Sequence, residues 1–150
     1  MTPAAARGNP WLLAGAAASA LAAVAHLACI AIGPAAYLTM GAGPRMAELA
    51  AAGHWYPPTI TVVIAGMLLV WSAYALSVAG VIRALPLRRT ILVAITAVYL
   101  LRGFARPVLE PYFPDNSDRF WFWSSAICLA IGALHAIGLA TLPGRAPRPG

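Results

Sequence analysis

Hydrophobic residues along the chain gather into four long stretches, and the polar residues fall mostly between them. The ten basic and four acidic residues all lie outside these stretches or at their ends. Apolar stretches of about 20 residues with few or no charges are typical of transmembrane helices. The pattern predicts an all-α, integral membrane four-helix bundle over residues 11–142, with helices over about 11–33, 59–82, 90–105 and 120–142. Residues 1–10 and 143–150 are expected to be tails, and the second tail, rich in Pro, Gly and Arg, is expected to be disordered.

The first and longest connection, over about 34–58, contains its own helical pattern. Gly41-Ala-Gly-Pro44 is a turn sequence, and apolar or small residues then recur at helical spacing from Met46 to Gly53. This pattern predicts a short interfacial helix that begins at Pro44 and closes at Gly53. The third connection, over about 106–119, holds three prolines and is predicted to be irregular, with one residue from Asp115 to Asp118 capping the last helix.

The composition excludes a soluble domain. Hydrophobic residues make up 61% of the chain and charged residues 9%, whereas charged residues are about a quarter of an average soluble protein. The first stretch is about 22 residues long, beyond the roughly 7–15 apolar residues of a secretory signal peptide, which favours a retained membrane helix over a cleaved leader. Abundant Ala, Arg, Gly and Pro indicate a GC-rich bacterial genome.

The charges divide the tails and connections into two groups, and this division predicts the orientation in the membrane. The two tails and the second connection carry no acid and six arginines: Arg7, Arg83, Arg88, Arg89, Arg145 and Arg148. The other two connections hold every acid: Glu48, Glu110, Asp115 and Asp118. Because positively charged loops stay in the cytoplasm, the sequence predicts a multi-pass inner-membrane protein with both termini cytoplasmic. We interpret the formal charge of +6 as serving to orient the helices and to attract anionic lipid. It is not interpreted as a sign of nucleic-acid binding.

Small and polar residues recur every three or four positions in three of the stretches, and so mark one face of each helix. The first stretch carries Ser19, Ala22, His26 and Cys29, the second Gly66, Ala73, Ser77 and Gly80, and the fourth Ser124, Cys128, Gly132, His135 and Gly138. Small faces let helices approach closely in lipid. These three faces are expected to point into the bundle.

Arg102 is the strongest candidate for chemistry because it lies about one turn, roughly 6 Å, inside the third stretch. Tyr99, Arg102 and Arg106 are expected to share a helix face, since they lie three, four and seven positions apart. The functional hypothesis is that Arg102 and Arg106 line an outward-open cavity and bind a carboxylate or phosphate. Two alternatives stay open. In the first, the Arg102 side chain extends to lipid phosphate at the membrane surface and only ends the helix. In the second, Glu110 neutralises one of the arginines in a structural ion pair.

His26 is a further candidate ligand-binding residue because it lies about 10 Å below the outer surface, near the depth of Arg102. The alternative is a neutral histidine hydrogen-bonded between helices. His135 lies roughly 13 Å from that depth, so the two histidines cannot be the axial ligands of one haem. His26, Cys29 and Cys128 could approach a metal ion, but a closed zinc site needs a fourth ligand. The sequence therefore predicts no metal and no cofactor.

Motifs for catalysis are missing from the sequence. There is no acid pair inside the apolar stretches, no H-E-x-x-H, no G-x-S-x-G and no phosphate-binding loop, which argues against an enzyme. One outer aromatic cluster stands out: His54, Trp55 and Tyr56 could form a lid beside Asp115 and Asp118. The alternative is that these aromatic residues anchor the chain at the membrane boundary.

Three short motifs resemble those of the small uncharacterised four-helix inner-membrane proteins of proteobacteria. They are Gly53-His-Trp-Tyr-Pro57, Leu85-Pro-Leu-Arg-Arg89 and Tyr99-Leu-Leu-Arg-Gly103. The resemblance covers most of the chain. It implies the four-helix fold and no particular activity.

These observations predict a non-enzymatic membrane protein, an accessory or lipid- or amphipath-binding component of a membrane complex. Its expected partners are membrane lipid and either further copies of itself or another membrane protein. One alternative is a small oligomeric transporter of an anionic or amphipathic solute, with Arg102 in its path. Another is a membrane enzyme acting on a lipid-linked substrate, with His26 as base and Arg102 as electrostatic stabiliser.

Overall fold

The computed structural model describes residues 8–142, and all regular structure in this range is helical. In chain order the helices are α1 (Pro10–Ile32), α2 (Pro34–Thr39), α3 (Pro44–Ala51), α4 (Tyr56–Val78), α5 (Arg88–Phe104), α6 (Arg106–Leu109) and α7 (Asp118–Ala140). A 3-10 turn over Glu110–Tyr112 continues α6. The predicted all-α fold is confirmed for this range. The tail predicted at 143–150 and residues 1–7 of the first tail lie outside the described residues.

The long helices have the length and the surface of membrane helices. α1, α4 and α7 are long and apolar enough to cross a membrane, and the bent pair of α5 and α6 adds a fourth candidate span if it counts as one. Large apolar side chains are outside: Leu21, Val63, Leu101, Phe104 and Phe122 are 59–72% exposed. Polar side chains are inside: Ser19, Ser72, Ser77, Thr96 and His135 are at most 7% exposed. An apolar surface of this extent is unfavourable in water and suits lipid.

Prolines and capping side chains set where the helices begin. A proline stands in the first two positions of each of the helices α1 to α4, where its missing N–H costs no hydrogen bond. For this reason α4 begins at Tyr56, before the predicted position 59, and takes Pro57 and Pro58 into its first turn. Ser117 caps α7, since its side chain accepts a hydrogen bond from the N–H of Phe120 at 3.2 Å.

The connections contain more helix than the sequence predicted. The short helix predicted to begin at Pro44 is present as α3, but α2 was not expected between it and α1. The expectation of an irregular third connection is wrong for α6 and the 3-10 turn, because Pro107 and Pro111 fit the first positions of these elements. α5 and the helical segment Arg106–Tyr112 meet at an angle of 66°. Pro107 cannot donate the hydrogen bond that would continue α5, which accounts for the break.

The four long helices pack side by side, with α1 against α4 and α7, and α5 against α7 and α4. Their shared core consists of small and aliphatic side chains, among them Leu12, Ala16, Ala23, Ala65, Leu68, Ala75, Leu92, Ile95 and Ile131. The face predicted for α7 is confirmed at Gly132, His135 and Gly138, which are buried. Gly138 allows close contact, since a β-carbon there would lie 2.4 Å from Cδ2 of Leu12.

The face predicted for α4 is confirmed at Ser77, which is buried, but is wrong at its two glycines. Gly66 and Gly80 are exposed, and the buried face instead carries Thr61, Ala65, Leu68, Ser72 and Ala75. Ser72 fixes this face against α1, because its hydroxyl donates a hydrogen bond to the carbonyl oxygen of Ala16 at 2.8 Å. A polar anchor and medium-sized side chains, rather than the glycines, therefore decide how α4 is rotated.

The molecule has two distinct ends. The turn end comprises Gly8, Asn9, residues 79–87 and Thr141, and the loop end comprises residues 33–55 and 105–117. At the turn end, Asn9 Nδ2 donates hydrogen bonds to the carbonyl of Gly138 at 3.1 Å and to Oγ1 of Thr141 at 3.0 Å. These bonds place the beginning of α1 beside the end of α7.

Candidate functional site

Arg102 lies in the last turn of α5 and packs against α7. Its guanidinium lies over the indole of Trp121, with Cζ 5.4 Å from the ring centroid, and its Nη2 lies 3.4 Å from Oγ of Ser124. Nη1 of Arg102 is buried and has no hydrogen-bond partner within residues 8–142. Both of the ion pairs within residues 8–142 are made by Arg106. Among the described residues, Arg102 therefore keeps an uncompensated charge and an unused donor between two helices.

α7 has two more buried polar atoms without a partner in the described range, Nε1 of Trp121 and Oγ of Ser125. Trp121 is 1% exposed, and Ser125 follows it by one helical turn on the same face. An indole N–H and a guanidinium can only donate hydrogen bonds, and a hydroxyl can donate one. Nη1 of Arg102 and Nε1 of Trp121, the indole that the guanidinium lies over, are both donors without an acceptor, and an anionic oxygen would supply one.

Arg106 differs from Arg102 because acids already neutralise it. Its Nε and Nη2 lie 3.1 Å from the two carboxylate oxygens of Glu110, and Nη2 also contacts Asp118. The structural ion pair with Glu110, which the sequence left open, is present. The bend after α5 also interrupts the helix face that was expected to join Arg106 to Tyr99. The geometry brings Arg106 and Glu110 together with Asp118, which lies one helical turn before Trp121 in α7.

Tyr99 points to the centre of the packed helices instead of toward the contacts of Arg102. Its hydroxyl lies 2.9 Å from Oγ of Ser19, and its ring meets Trp71 edge-on at a centroid distance of 5.0 Å. The ring centroid of His135 lies 5.7 Å from that of Tyr99. Tyr99 thus connects α5 to α1, α4 and α7. The role that the sequence assigned to it in ligand binding stays a prediction.

His135 is fully buried, and neither of its ring nitrogens has a partner in the described range. Gly15 of α1 makes room for the ring, because a β-carbon at Gly15 would lie 2.8 Å from Cδ2 and Nε2 of His135. The close approach of α1 and α7 at this level depends on that pair.

His26 is partly exposed, and its contact is local. Its Nδ1 lies 2.7 Å from the carbonyl oxygen of Ala22 in the same helix, so Nδ1 carries the proton. No hydrogen bond joins His26 to Arg102 in the part of the chain described. Cys29 packs instead in a small core with Tyr37 at the loop end. Within residues 8–142, no three His, Cys, Asp or Glu side chains are placed to hold a metal ion.

A cleft of about 660 Å³ opens at the loop end, between α3 and the segment after α6. Its walls include Arg45, Glu48, Tyr56, Tyr112, Asp115 and Asn116. The expected lid is divided in the structure: Tyr56 and Asp115 line the cleft, and Asp118 pairs with Arg106. His54 and Trp55 stack on each other at 5.6 Å and do not line it.

The sequence interpretation missed Trp121, Ser125 and Asn9. Trp121 stands in a run of aromatic residues at the start of α7, in which Phe122 and Trp123 are exposed and Trp121 is not. A signal was present, because Trp121 precedes Ser124, Cys128, Gly132 and His135 by three, seven, eleven and fourteen positions, which is the spacing of one helix face. No comparable signal marks the bonds of Asn9, which join the two ends of the chain.

The described residues define an all-helical protein with three to four helices suited to crossing a membrane and with one uncompensated arginine between α5 and α7. Comparisons of the chain with protein-family models, with curated proteins and with solved structures found no match. The function is therefore argued from the residues of the chain itself.

Proposed function

We propose that this chain is a non-enzymatic inner-membrane protein that binds the anionic group of a membrane lipid or amphiphile at Arg102. In this proposal α1, α4, α5 and α7 form a four-helix membrane bundle, and α3 lies along the membrane boundary. The observation that carries the proposal is the state of Arg102, whose buried Nη1 has no partner and whose charge has no carboxylate within residues 8–142.

The chemistry of this group favours an anion. An uncompensated guanidinium beside the apolar part of a membrane is costly, and a phosphate or carboxylate can accept two parallel hydrogen bonds from it. Nε1 of Trp121 offers a further donor. Leu101 and Phe104, close to Arg102 in α5, and Phe122, next to Trp121 in α7, are 71%, 72% and 63% exposed. They offer an apolar surface to the tail of an amphiphile, which favours an amphiphile over a free ion.

The same proposal places the turn end in the cytoplasm and the loop end outside. Arg83, Arg88 and Arg89 lie at or beside the turn end, and the acids lie at or beside the loop end, which supports this orientation by the positive-inside rule. The bonds of Asn9 to Gly138 and Thr141 support an even number of crossings, because they hold the first and last long helices together at one end.

A partner in the membrane is part of the proposal, either further copies of this chain or another membrane protein. Gly66 on the exposed side of α4 supports it, since nothing lies within 4 Å of the position that a β-carbon would take there. A small residue on a lipid-facing helix lets another helix approach closely.

Arg102→Lys tests the proposed function, because lysine keeps the positive charge but lacks the planar guanidinium that can donate two parallel hydrogen bonds to one anion. We expect binding of short-chain phosphatidylglycerol and of laurate to the purified protein to fall about tenfold, the effect of losing one charge-assisted hydrogen bond. Native mass spectrometry measures the occupancy. Arg119→Lys, an exposed arginine near the same end, is the matched control and should bind as the unmodified protein does. Equal binding by the Arg102→Lys variant, at unchanged thermal stability, would overturn the proposal.

A further inference from the structure

The four acidic residues of the chain fall into two groups with different surroundings. Glu110 and Asp118 both pair with Arg106. Glu48 and Asp115 make no ion pair within residues 8–142, and both line the cleft at the loop end. A chain with a formal charge of +6 thus gathers its unpaired negative charge in one cavity.

The cleft also contains groups that suit the two halves of a zwitterion. Tyr56, Tyr112 and Phe113 line it, and aromatic rings attract an ammonium group through their faces. Arg45 lines it as well and has no acid partner in the described range, so its guanidinium is available for a phosphate. Carboxylates, aromatic rings and one arginine together match a ligand with an ammonium group and a phosphate.

The walls of the cleft come from different connections and are tied together. Asn116 Nδ2 donates a hydrogen bond to the carbonyl oxygen of Gly41 at 3.2 Å, which joins the third connection to the first. The N–H of Ala42 donates to the carbonyl oxygen of Tyr37 at 2.9 Å, which holds the turn before α3. The cavity volume of about 660 Å³ lies within the roughly 300–1,000 Å³ of small-molecule sites.

We propose that this cleft binds a group that combines an ammonium with a phosphate, the chemistry of phosphoethanolamine. The ammonium lies between Glu48 and Asp115, and the phosphate lies on Arg45. The source of this group is either the headgroup of phosphatidylethanolamine or a soluble phosphoethanolamine. This site goes beyond the proposed function, because Arg102 lies between α5 and α7 and is not part of the cleft wall.

The experiment compares two short-chain lipids that differ only in the headgroup, phosphatidylethanolamine and phosphatidylglycerol, on delipidated protein in detergent. Native mass spectrometry should show about tenfold tighter binding of phosphatidylethanolamine, and Glu48→Gln with Asp115→Asn should remove this preference. Arg45→Gln should weaken binding of both headgroups at the cleft. Arg89→Gln, an exposed arginine at the other end of the molecule, is the control and should preserve the preference. Thermal unfolding confirms that each variant is folded.

Two further arms identify the source and separate this site from Arg102. Soluble phosphoethanolamine is titrated against glycerol phosphate: tight binding of phosphoethanolamine assigns a soluble ligand, and binding of the lipid alone assigns the membrane, so that either result supports the headgroup chemistry. Arg102→Lys should leave the preference for ethanolamine unchanged, even if it lowers the binding of anionic lipid. Absence of that preference in the unmodified protein, or its survival in the Glu48→Gln, Asp115→Asn double variant, would overturn the proposal.

Discussion

Asn9 connects local helix capping to the packing of distant parts of the chain. Its side-chain oxygen accepts hydrogen bonds from the N–H groups of Trp11 and Leu12 at 3.1 and 3.3 Å, which caps α1. Its amide nitrogen donates to Gly138 and Thr141 of the last helix. One side chain of moderate size therefore satisfies helix ends that would otherwise be left without partners at the turn end.

We predict that Asn9→Ala lowers the free energy of unfolding by about 1–2 kcal/mol, because it removes the cap and both bonds to α7. Asn9→Ser should lower the free energy of unfolding by less, since serine can still cap α1 but cannot replace the two hydrogen bonds that the asparagine amide donates to α7. Thermal unfolding in detergent measures both changes. Equal stability of the alanine variant and the unmodified protein would show that these contacts are not formed.

At the residue scale, the sequence identified candidates better than it identified their partners. Arg102 was found because a charge inside an apolar stretch is conspicuous. Its partner Trp121 was not found, because the spacing of residues defines a face of one helix but not the neighbour that the face meets. Tyr99 was expected beside Arg102 and lies instead against Ser19 and Trp71, since α5 is surrounded by helices on several sides.

At the scale of elements, the turn between α4 and α5 depends on Ser77. Its hydroxyl donates a hydrogen bond to the carbonyl oxygen of Arg83 at 3.0 Å and accepts one from the N–H of Leu85 at 2.9 Å. Arg88 Nη1 donates to the carbonyl of the same serine at 2.8 Å. Leu87 adopts a left-handed conformation with φ of 49°, which is unfavourable for a residue with a β-carbon. The hydrogen bonds of Ser77 and Arg88 hold the chain on both sides of this strained residue.

Ser77→Ala should therefore loosen this turn. If the loss is about 1 kcal/mol, the open form becomes about five times more populated, and tryptic cleavage at the arginines of the turn accelerates by the same factor. Ser72→Ala is the matched control, because it removes a buried serine of the same helix whose bond goes to α1 rather than to the turn. The Ser72→Ala variant should show no such acceleration at the turn. Cleavage of the Ser77→Ala variant at the rate of the unmodified protein would contradict the prediction.

Helix positions were more predictable than helix rotations. Length and hydropathy indicated the long helices to within about four residues, because few other structures accommodate such stretches. The rotation of α4 was not predictable from its glycines, because the bond from Ser72 to Ala16 fixes a different face. The sequence pattern does not indicate the short helices α2 and α6, because proline commonly ends a helix, although it is also well placed in a first turn.

At the scale of the whole molecule, the two ends carry different chemistry. The turn end holds the beginning of α1 and the ends of α4 and α7, joined by the bonds of Asn9 and by the bond from the N–H of Gly8 to the carbonyl of Ala79 at 3.1 Å. The loop end carries the cleft, with the ion pairs of Arg106 beside it. Our central proposal, a four-crossing membrane protein with the turn end in the cytoplasm, assigns these two ends to opposite sides of the membrane.

Accessibility of single cysteines tests this proposal most directly. Ala84→Cys marks the turn end and Tyr112→Cys marks the loop end, where the tyrosine is 76% exposed, each in a chain whose Cys29 and Cys128 are replaced by alanine. In right-side-out spheroplasts, a membrane-impermeant maleimide should label position 112 at once and position 84 only after lysis. Labelling of position 84 in intact spheroplasts, or of position 112 only after lysis, would contradict the orientation, and labelling of both from outside would contradict the crossings themselves.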